Sequence, residues 1–210
     1  AELSPHCTQF HRQVFRSLSE WRRDRGLSGI VLAGRWAHEM GFESPTMIEK
    51  TAPGAMRFFD VRAKSSSQAL AYLETSLSEL LTAAEREGLR VMIVLPSPIQ
   101  KYKGPHCLSV QAEKDCFVTL EEMTRYAGAV EAVIRRATAG QPHVRLVDPK
   151  TFLCKNARCP VMLDGSVAYT DPSHLSNTVS QASASYFVDD LAWLARRELA
   201  HTLKVEVQNK

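Results

Sequence analysis

The sequence alternates between short apolar runs and longer stretches with helical periodicity, and this alternation limits the folds that it can adopt. The apolar runs lie at 29–34, 91–95 and 144–147. The stretches with apolar side chains at every third or fourth position are 14–25, 67–87, 119–140 and 176–201. Short apolar strands that alternate with helices are typical of a parallel sheet with helices on both faces. We therefore predict an α/β fold with three layers, α/β/α, and a mostly parallel sheet.

Local signals mark several boundaries of these elements. Gly26 and Gly88 follow two of the helical stretches, at the position where a glycine commonly ends a helix. Thr119, with Glu122 three residues later, has the spacing of a capping box and indicates the start of a helix. Asp164 and Gly165 predict a tight turn. The run at 29–34 is expected to form a strand buried on both faces.

Three long segments without a regular period follow the three predicted strands. We expect loops at 37–67, 98–118 and 148–169. The carboxyl ends of parallel strands meet at one edge of a sheet, and binding sites of α/β proteins form there. Functional groups should therefore gather on these loops.

Composition excludes some classes of protein and leaves others open. With 210 residues, 44% hydrophobic and 23% charged, the chain can form one globular domain, and we expect a single domain over 1–210. A net charge of +3 is too small to indicate nucleic-acid binding by itself. No apolar run approaches the ~18 residues that span a bilayer, and the start lacks the pattern of a signal peptide. Because the chain begins at Ala1, we expect a processed chain, an excised domain or an incomplete record.

Four of the five cysteines form two pairs that are close in sequence, and one cysteine is left without a nearby partner. Cys107 and Cys116 bracket one polar stretch, and Cys154 and Cys159 bracket another. The favoured interpretation is two short-range disulfides, which would place the domain in an oxidising compartment. Cys7 is then left over, and we expect its partner to lie outside this sequence.

Two alternatives to the disulfides remain open at this point. All five cysteines would be reduced in a cytosolic protein, where a buried thiol packs as a small apolar group. A zinc site formed by His106, Cys107 and Cys116 is the other alternative, although structural zinc sites generally use closer cysteine pairs.

The strongest candidate for chemistry is the segment Asp-Pro-Ser-His-Leu-Ser at 171–176, just before the last predicted helix. The carboxylate of Asp171 can bond one imidazole nitrogen of His174, which leaves the other nitrogen to accept a proton from a nucleophile. The alternative is structural: Asp171 or Ser173 caps the helix and His174 is a surface residue. The other histidines show no metal-ligand spacing, and there is no glycine-rich phosphate loop.

This segment carries a resemblance to a known family. Together with the Cys-x4-Cys pair at 154 and 159 and the sequence Pro-Val-Met-Leu-Asp-Gly at 160–165, it resembles the closing block of the SGNH hydrolase-like domain of acyltransferase-3 membrane proteins. Val-Leu-Ala-Gly-Arg-Trp at 31–36 is similar to that family's middle strand. The resemblance extends in order over nearly the whole chain. It implies a flavodoxin-like SGNH fold and a Ser-His-Asp triad to which His174 and Asp171 contribute, with no cofactor and no metal.

Two features depart from the family's pattern. The family's nucleophile lies in a Gly-Asp-Ser block after its first strand, and this sequence contains no Gly-Asp-Ser. Residues 1–11 resemble the tail of the segment that follows that strand, so we expect the first strand and its serine to lie outside the chain. Ser97, between two prolines, and Ser166, in a predicted turn, are poor alternatives.

The second departure concerns the oxyanion hole. Ordinary SGNH hydrolases have Gly-x-Asn-Asp after the middle strand, whereas this chain has Gly34, Arg35, Trp36 and Ala37. Since no side-chain amide is present, the donors would be backbone N–H groups or Arg35. Arg35 in a structural ion pair, and Trp36 in packing, are the alternatives to roles at a site. We expect Arg35 and Trp36 to line one cleft with His174.

The resemblance implies a domain that O-acetylates a bacterial surface glycan, such as an O-antigen or a related polysaccharide. The partners would be a carbohydrate acceptor and an acyl donor delivered by a membrane acyltransferase domain, with no nucleic acid. The domain would be periplasmic and tethered to the inner membrane by an upstream transmembrane domain. An exported SGNH esterase and a non-catalytic glycan-binding module are the rival interpretations.

Overall fold

The computed structural model describes residues 5–40, 42 and 63–196, without the side chains at 5–12, 14, 15 and 39. The α-helices are α1 (Pro5–Arg25), α2 (Trp36–Glu39), α3 (Ser66–Arg86), α4 (Gly104–Val110), α5 (Leu120–Thr138), α6 (Lys150–Leu153), α7 (Asn177–Ser183) and α8 (Val188–Ala195). The strands are β1 (Gly29–Leu32), β2 (Arg90–Val94), β3 (Phe117–Thr119), β4 (Val144–Val147), β5 (Arg158–Pro160), β6 (Met162–Leu163) and β7 (Ser166–Val167). Glu113–Asp115 and Ala184–Phe187 form 3₁₀ turns.

The central sheet has three parallel strands in the order β1-β2-β4. Gly29 pairs with Arg90 across β1 and β2, and Val91 pairs with Val144 across β2 and β4. Each strand is joined to the next by a long helix, because parallel neighbours need a crossover connection. This arrangement confirms the predicted α/β class and its parallel sheet.

Helices cover both faces of this sheet. On one face, Val91 and Ile93 belong to a buried cluster with the apolar sides of α3 and α5. Leu18 of α1 joins the same cluster. On the other face, Met92 packs with Leu194 of α8. The alternating side chains of β2 thus separate two helical layers, as a strand buried on both faces requires.

The prediction that β1 is buried on both faces is wrong for one of them. Val31 is 46% exposed. Within the described residues β1 pairs only with β2, so it is an edge strand there. An apolar run such as that of β1 is typical of a buried strand, but the sequence of a strand does not show how many neighbours it has.

The predicted loops contain more regular structure than expected. The segment 98–118 includes α4, a 3₁₀ turn and β3, and 148–169 includes α6 and β5 to β7. Strands β3 and β5 pair antiparallel, with Val118 opposite Cys159. Such short strands depend on a partner about forty residues away, which local periodicity does not reveal. Of the predicted loop 37–67, residues 41 and 43–62 lie outside the described residues, and α2 occupies its start.

The prediction of a single terminal helix at 176–201 is also wrong. The chain forms two helices, α7 and α8, joined by a 3₁₀ turn, and residues 197–210 lie outside the described part. Val179 of α7 is buried with Leu153 and Tyr169, whereas Leu194 of α8 packs on the sheet. The two helices thus pack into different apolar clusters.

Both short-range disulfides are present in the structure. Cys107 is bonded to Cys116, and Cys154 to Cys159. These bonds exclude the reduced alternative and the zinc site that would use Cys107 and Cys116. The second disulfide closes the turn before β5. The side chain of Cys7 is not described, so the expectation about its partner stays untested.

Two local signals are confirmed at atomic detail. The Oγ1 of Thr119 accepts a hydrogen bond from the Glu122 N–H (3.1 Å), and the Glu122 carboxylate accepts one from the Thr119 N–H (2.9 Å), which is a complete capping box for α5. Asp164 and Gly165 have φ of 45° and 77° and connect β6 to β7 as a two-residue hairpin turn. Among the described residues, no helix is both long and apolar enough to cross a membrane.

Thr119→Ala should lower the free energy of unfolding by about 1 kcal/mol, because α5 loses its N-cap acceptor. Urea denaturation followed by circular dichroism would measure the change. Thr124→Ala is the matched control, since its exposed hydroxyl bonds only the Leu120 carbonyl within α5. Equal losses in the two variants would contradict a specific role of the capping box.

Candidate active site

The turn at 171–174 lies between β7 and α7 and holds an acid next to a base. Oδ2 of Asp171 is 2.7 Å from Nδ1 of His174. Oδ1 of the same carboxylate accepts the backbone N–H groups of Ser173 (2.8 Å) and His174 (2.9 Å). Asp side chains commonly accept N–H groups two and three residues ahead in such turns. The spacing of Asp171 and His174 in the sequence therefore brings the carboxylate to the imidazole through local geometry alone.

The carboxylate stays ionised at neutral pH. Partial burial raises the pKa of Asp171, but hydrogen bonds from the Ser173 N–H, the His174 ring and the His174 N–H lower that pKa more, and the net pKa lies below its ordinary value of 3.8. An anion at Nδ1 favours the tautomer with the proton on Nδ1. The lone pair of the neutral ring then lies on Nε2.

The opposite side of the imidazole is open. The His174 side chain is 71% exposed, and within the described residues Nε2 has no hydrogen-bond partner. An oriented imidazole with an accessible Nε2 is the arrangement that a general base needs. The structure does not support the alternative in which Asp171 or Ser173 caps the following helix. The N-cap of α7 is Ser176, whose Oγ accepts the Val179 N–H at 3.3 Å.

Backbone hydrogen bonds hold the turn to the rest of the domain. The Thr170 N–H donates to the His174 carbonyl (3.0 Å), which closes the turn on itself. The Gln100 N–H donates to the Pro172 carbonyl (2.7 Å), and the Gln100 side chain donates to the Cys159 carbonyl (3.0 Å). Gln100 is 1% exposed. One buried residue thus connects the segment after β2, strand β5 and the turn.

Sequence reasoning did not single out Gln100. It lies in a segment interpreted as a polar loop, and nothing in its neighbours marks it as buried. A polar side chain that is buried must satisfy its hydrogen bonds inside the protein, and Gln100 does so by bonding a distant carbonyl. That partner is visible only in the folded chain.

The end of β1 supplies the second group of predicted site residues. Gly34 and Arg35 are exposed, and Trp36 is half-buried. The indole N–H of Trp36 donates to the carbonyl of Val94, the last residue of β2 (2.8 Å). Trp36 therefore connects the segment after β1 to the end of β2 by a hydrogen bond, which supports a structural role for its indole N–H. That Arg35 and Trp36 line one cleft with His174 stays a prediction.

Other candidate groups do not assemble into a site. Ser97 is exposed after β2 and Ser166 lies in β7, and neither hydroxyl bonds His174. Among the residues that the structure describes, no cluster of three or more His, Cys, Asp or Glu side chains could hold a metal ion. Asp171 and His174, which the sequence predicts as a pair, do lie in contact.

The fold and this pair define an α/β domain with a hydrogen-bonded Asp-His pair at the 171–174 turn. The family model of the SGNH domain that is fused to AT3 domains matches residues 1–189, and the chain belongs to this family. No curated protein and no solved structure matches the chain.

The family assignment sets the general function. The chain is an SGNH module associated with acyltransferases, and SGNH domains suggest esterase or acyltransferase chemistry. Fusion to AT3 domains suggests a membrane-associated protein, and the two disulfides are compatible with an extracytoplasmic domain.

Asp171→Asn should reduce stability more at neutral pH than in acid. The Asp171 pKa is lower in the folded protein than in the unfolded chain, so the charge stabilises the fold above pH ~4 and this stabilisation is lost as the pH falls through the folded pKa. Urea unfolding of the natural and variant chains at pH 7 and pH 3 would measure the difference.

Asp164→Asn is the control for this comparison, because Asp164 is exposed in a hairpin turn. A difference between Asp171→Asn and the natural chain that stays constant from pH 7 to pH 3 would contradict the charge-based account.

Proposed function

We propose that this domain O-acetylates a bacterial surface glycan, such as an O-antigen or a related polysaccharide, through a Ser-His-Asp triad. His174 is the general base and acid, Asp171 orients it, and the serine belongs to a segment outside these 210 residues. The observation that carries the proposal is the 2.7 Å contact between Asp171 and Nδ1 of His174, with Nε2 exposed.

The proposed reaction has two acyl transfers. The serine Oγ attacks the carbonyl carbon of the acyl donor while Nε2 of His174 accepts the hydroxyl proton. The donor's leaving group departs with that proton, and an acyl-serine remains. A glycan hydroxyl then attacks the acyl carbon, and its proton passes through Nε2 back to the serine oxygen. The anionic Asp171 stabilises the imidazolium in both halves.

The oxyanion of each tetrahedral intermediate needs donors at the same edge of the sheet. Arg35 and the backbone N–H groups after β1 are the proposed donors, because this chain has no side-chain amide at that position. Within the described residues, nothing lies within 4 Å of the point where a Cβ on Gly34 would sit. The space beside Gly34 is therefore open to a substrate or to a further segment of polypeptide.

The connections between strands support a position for the proposed serine. The crossovers from β1 to β2 and from β2 to β4 use α3 and α5, which pack together, and Leu18 of α1 lies in the same cluster. About 98% of such crossovers are right-handed. A parallel strand that feeds α1 would therefore lie on the free side of β1. Its carboxyl end would place a serine at the edge that carries Gly34.

The surface of β1 supports such an additional strand. Val31 leaves 46% of its surface exposed on a strand that pairs only with β2 in the described part of the chain. An exposed, apolar edge strand invites pairing with another chain, and proteins generally cover it. A strand at this edge would shield Val31 and complete the sheet next to the site.

The proposed setting is the periplasm, where a membrane domain upstream would deliver the acyl donor. Two disulfides in the domain and the family's fusion to AT3 domains support this setting. Water in place of the glycan hydroxyl would make the same machinery an esterase, and the 71% exposure of His174 allows water to reach Nε2. Comparing acyl transfer to glycan with release of free acid separates the two.

His174→Ala in the complete protein should lower acyl transfer by about 100- to 10,000-fold, because general acid-base catalysis is removed. Asp171→Asn should also lower it, since the imidazole loses the partner that sets its tautomer. Initial rates with a glycan acceptor, and with a chromogenic acetyl ester, would measure both effects.

His106→Ala, an exposed histidine of α4, is the matched control and should keep full ester hydrolysis. The 210-residue chain without a serine strand should be inactive or nearly so. Transfer that survives His174→Ala would show that the chemistry resides elsewhere.

A further inference from the structure

A cavity of about 190 Å³ lies between the segment after β2, helix α4 and strand β3. Its lining includes Gln100, Lys101, Tyr102, Gln111, Asp115 and Phe117. The backbone N–H of Gln100 bonds the carbonyl of Pro172, two residues before His174. Gln100 therefore connects the wall of the cavity to the turn that carries the proposed catalytic base.

The walls of the cavity are held in place by covalent and ionic links. The disulfide from Cys107 to Cys116 joins α4 to the start of β3. Lys101 bonds the Glu122 carboxylate at 2.6 Å and so fixes the segment after β2 to helix α5. A cavity with restrained walls is preorganised, which reduces the ordering that binding requires.

Gln100 contributes a buried amide to the lining. It is 1% exposed, and its Nε2 donates to the Cys159 carbonyl (3.0 Å). A buried polar side chain with a defined partner is a fixed part of the cavity wall.

The chemistry of the lining selects among ligands. The amide of Gln111 both donates and accepts, and the Asp115 carboxylate accepts. Tyr102 and Phe117 supply aromatic rings, and one face of Phe117 is already covered by Arg158 at 4.4 Å. Donors, acceptors and a ring together suit a compound with several hydroxyls and apolar C–H faces. Asp115 disfavours an anion such as phosphate.

The size of the cavity limits the occupant further. Sites for drug-sized ligands occupy about 300 to 1,000 Å³, and this cavity is smaller. A single hydroxylated ring suits this volume, whereas a longer oligosaccharide would have to extend out of it. We propose that the cavity binds one sugar unit of the acceptor glycan, next to the unit that receives the acyl group. This inference rests on the proposed acyl transfer.

Kinetics of the complete protein test this site through two lining residues, Tyr102 and Asp115, whose variants are called the rim variants. Tyr102→Ala and Asp115→Asn should each raise KM for the glycan about five- to tenfold, the loss expected for one ring contact or hydrogen bond, with kcat little changed. Hydrolysis of a small chromogenic acetyl ester should stay within about twofold of the natural rate, because the ester does not reach the cavity. Glu113→Gln, an exposed neighbour outside the lining, should change neither.

Binding to the 210-residue chain provides a readout without activity. Saturation-transfer NMR with methyl hexosides and methyl N-acetylhexosaminides, each at millimolar concentration, should show transfer from the natural chain and from Glu113→Gln. Transfer should be weaker or lost with Tyr102→Ala and Asp115→Asn. No transfer from any of these probes, or equal transfer with all four proteins, would overturn the sugar site and leave a water-filled cavity.

The two proposals fail in different ways. If His174→Ala abolishes transfer but the rim variants leave KM for the glycan unchanged, the cavity is not an acceptor subsite and the proposed function stands. If transfer survives His174→Ala while the rim variants still lose probe binding, the cavity binds sugar and the proposed catalytic role is wrong.

Discussion

The alternating side chains of β2 are the constraint on which the other layers depend. Val91 and Ile93 turn to the helices α3 and α5, and Met92 turns to α8. A strand that is apolar on both faces can be buried only between two layers, and its parallel pairing forces the connecting helices to cross over. The carboxyl ends of β1, β2 and β4 consequently meet at one edge. The segments that leave this edge carry the candidate site.

At that edge, the local contact between Asp171 and His174 combines with a hydrogen bond between distant segments. Asp171 and His174 meet because the turn between them brings the carboxylate to the ring, as the capping of N–H groups by Asp side chains explains. The turn is held near the sheet by the bond from Gln100 to Pro172. The contact between Asp171 and His174 thus comes from local geometry, and the position of the pair relative to other groups comes from the fold. The proposed proton transfer needs both.

The disulfides shape the same region. The bond between Cys154 and Cys159 closes the turn before β5, and the carbonyl of Cys159 receives the Gln100 side chain. The bond between Cys107 and Cys116 holds two walls of the cavity. Covalent links reduce the freedom of segments that have little regular structure of their own. The long segments after β2 and β4 can therefore form defined surfaces with only short strands and helices.

Features that depend on neighbouring residues could be predicted from the sequence. The features concerned are the apolar runs of the strands, the capping box at Thr119, the hairpin at Asp164, both cysteine pairs and the Asp171–His174 spacing. Each acts over at most ten residues, so local pattern is enough to predict it. The exposed side of β1, the pairing of β3 with β5, the division of the terminal helix and the burial of Gln100 were decided by tertiary structure. Each depends on which distant segment covers a surface or supplies a hydrogen-bond partner, and periodicity carries no information about that partner.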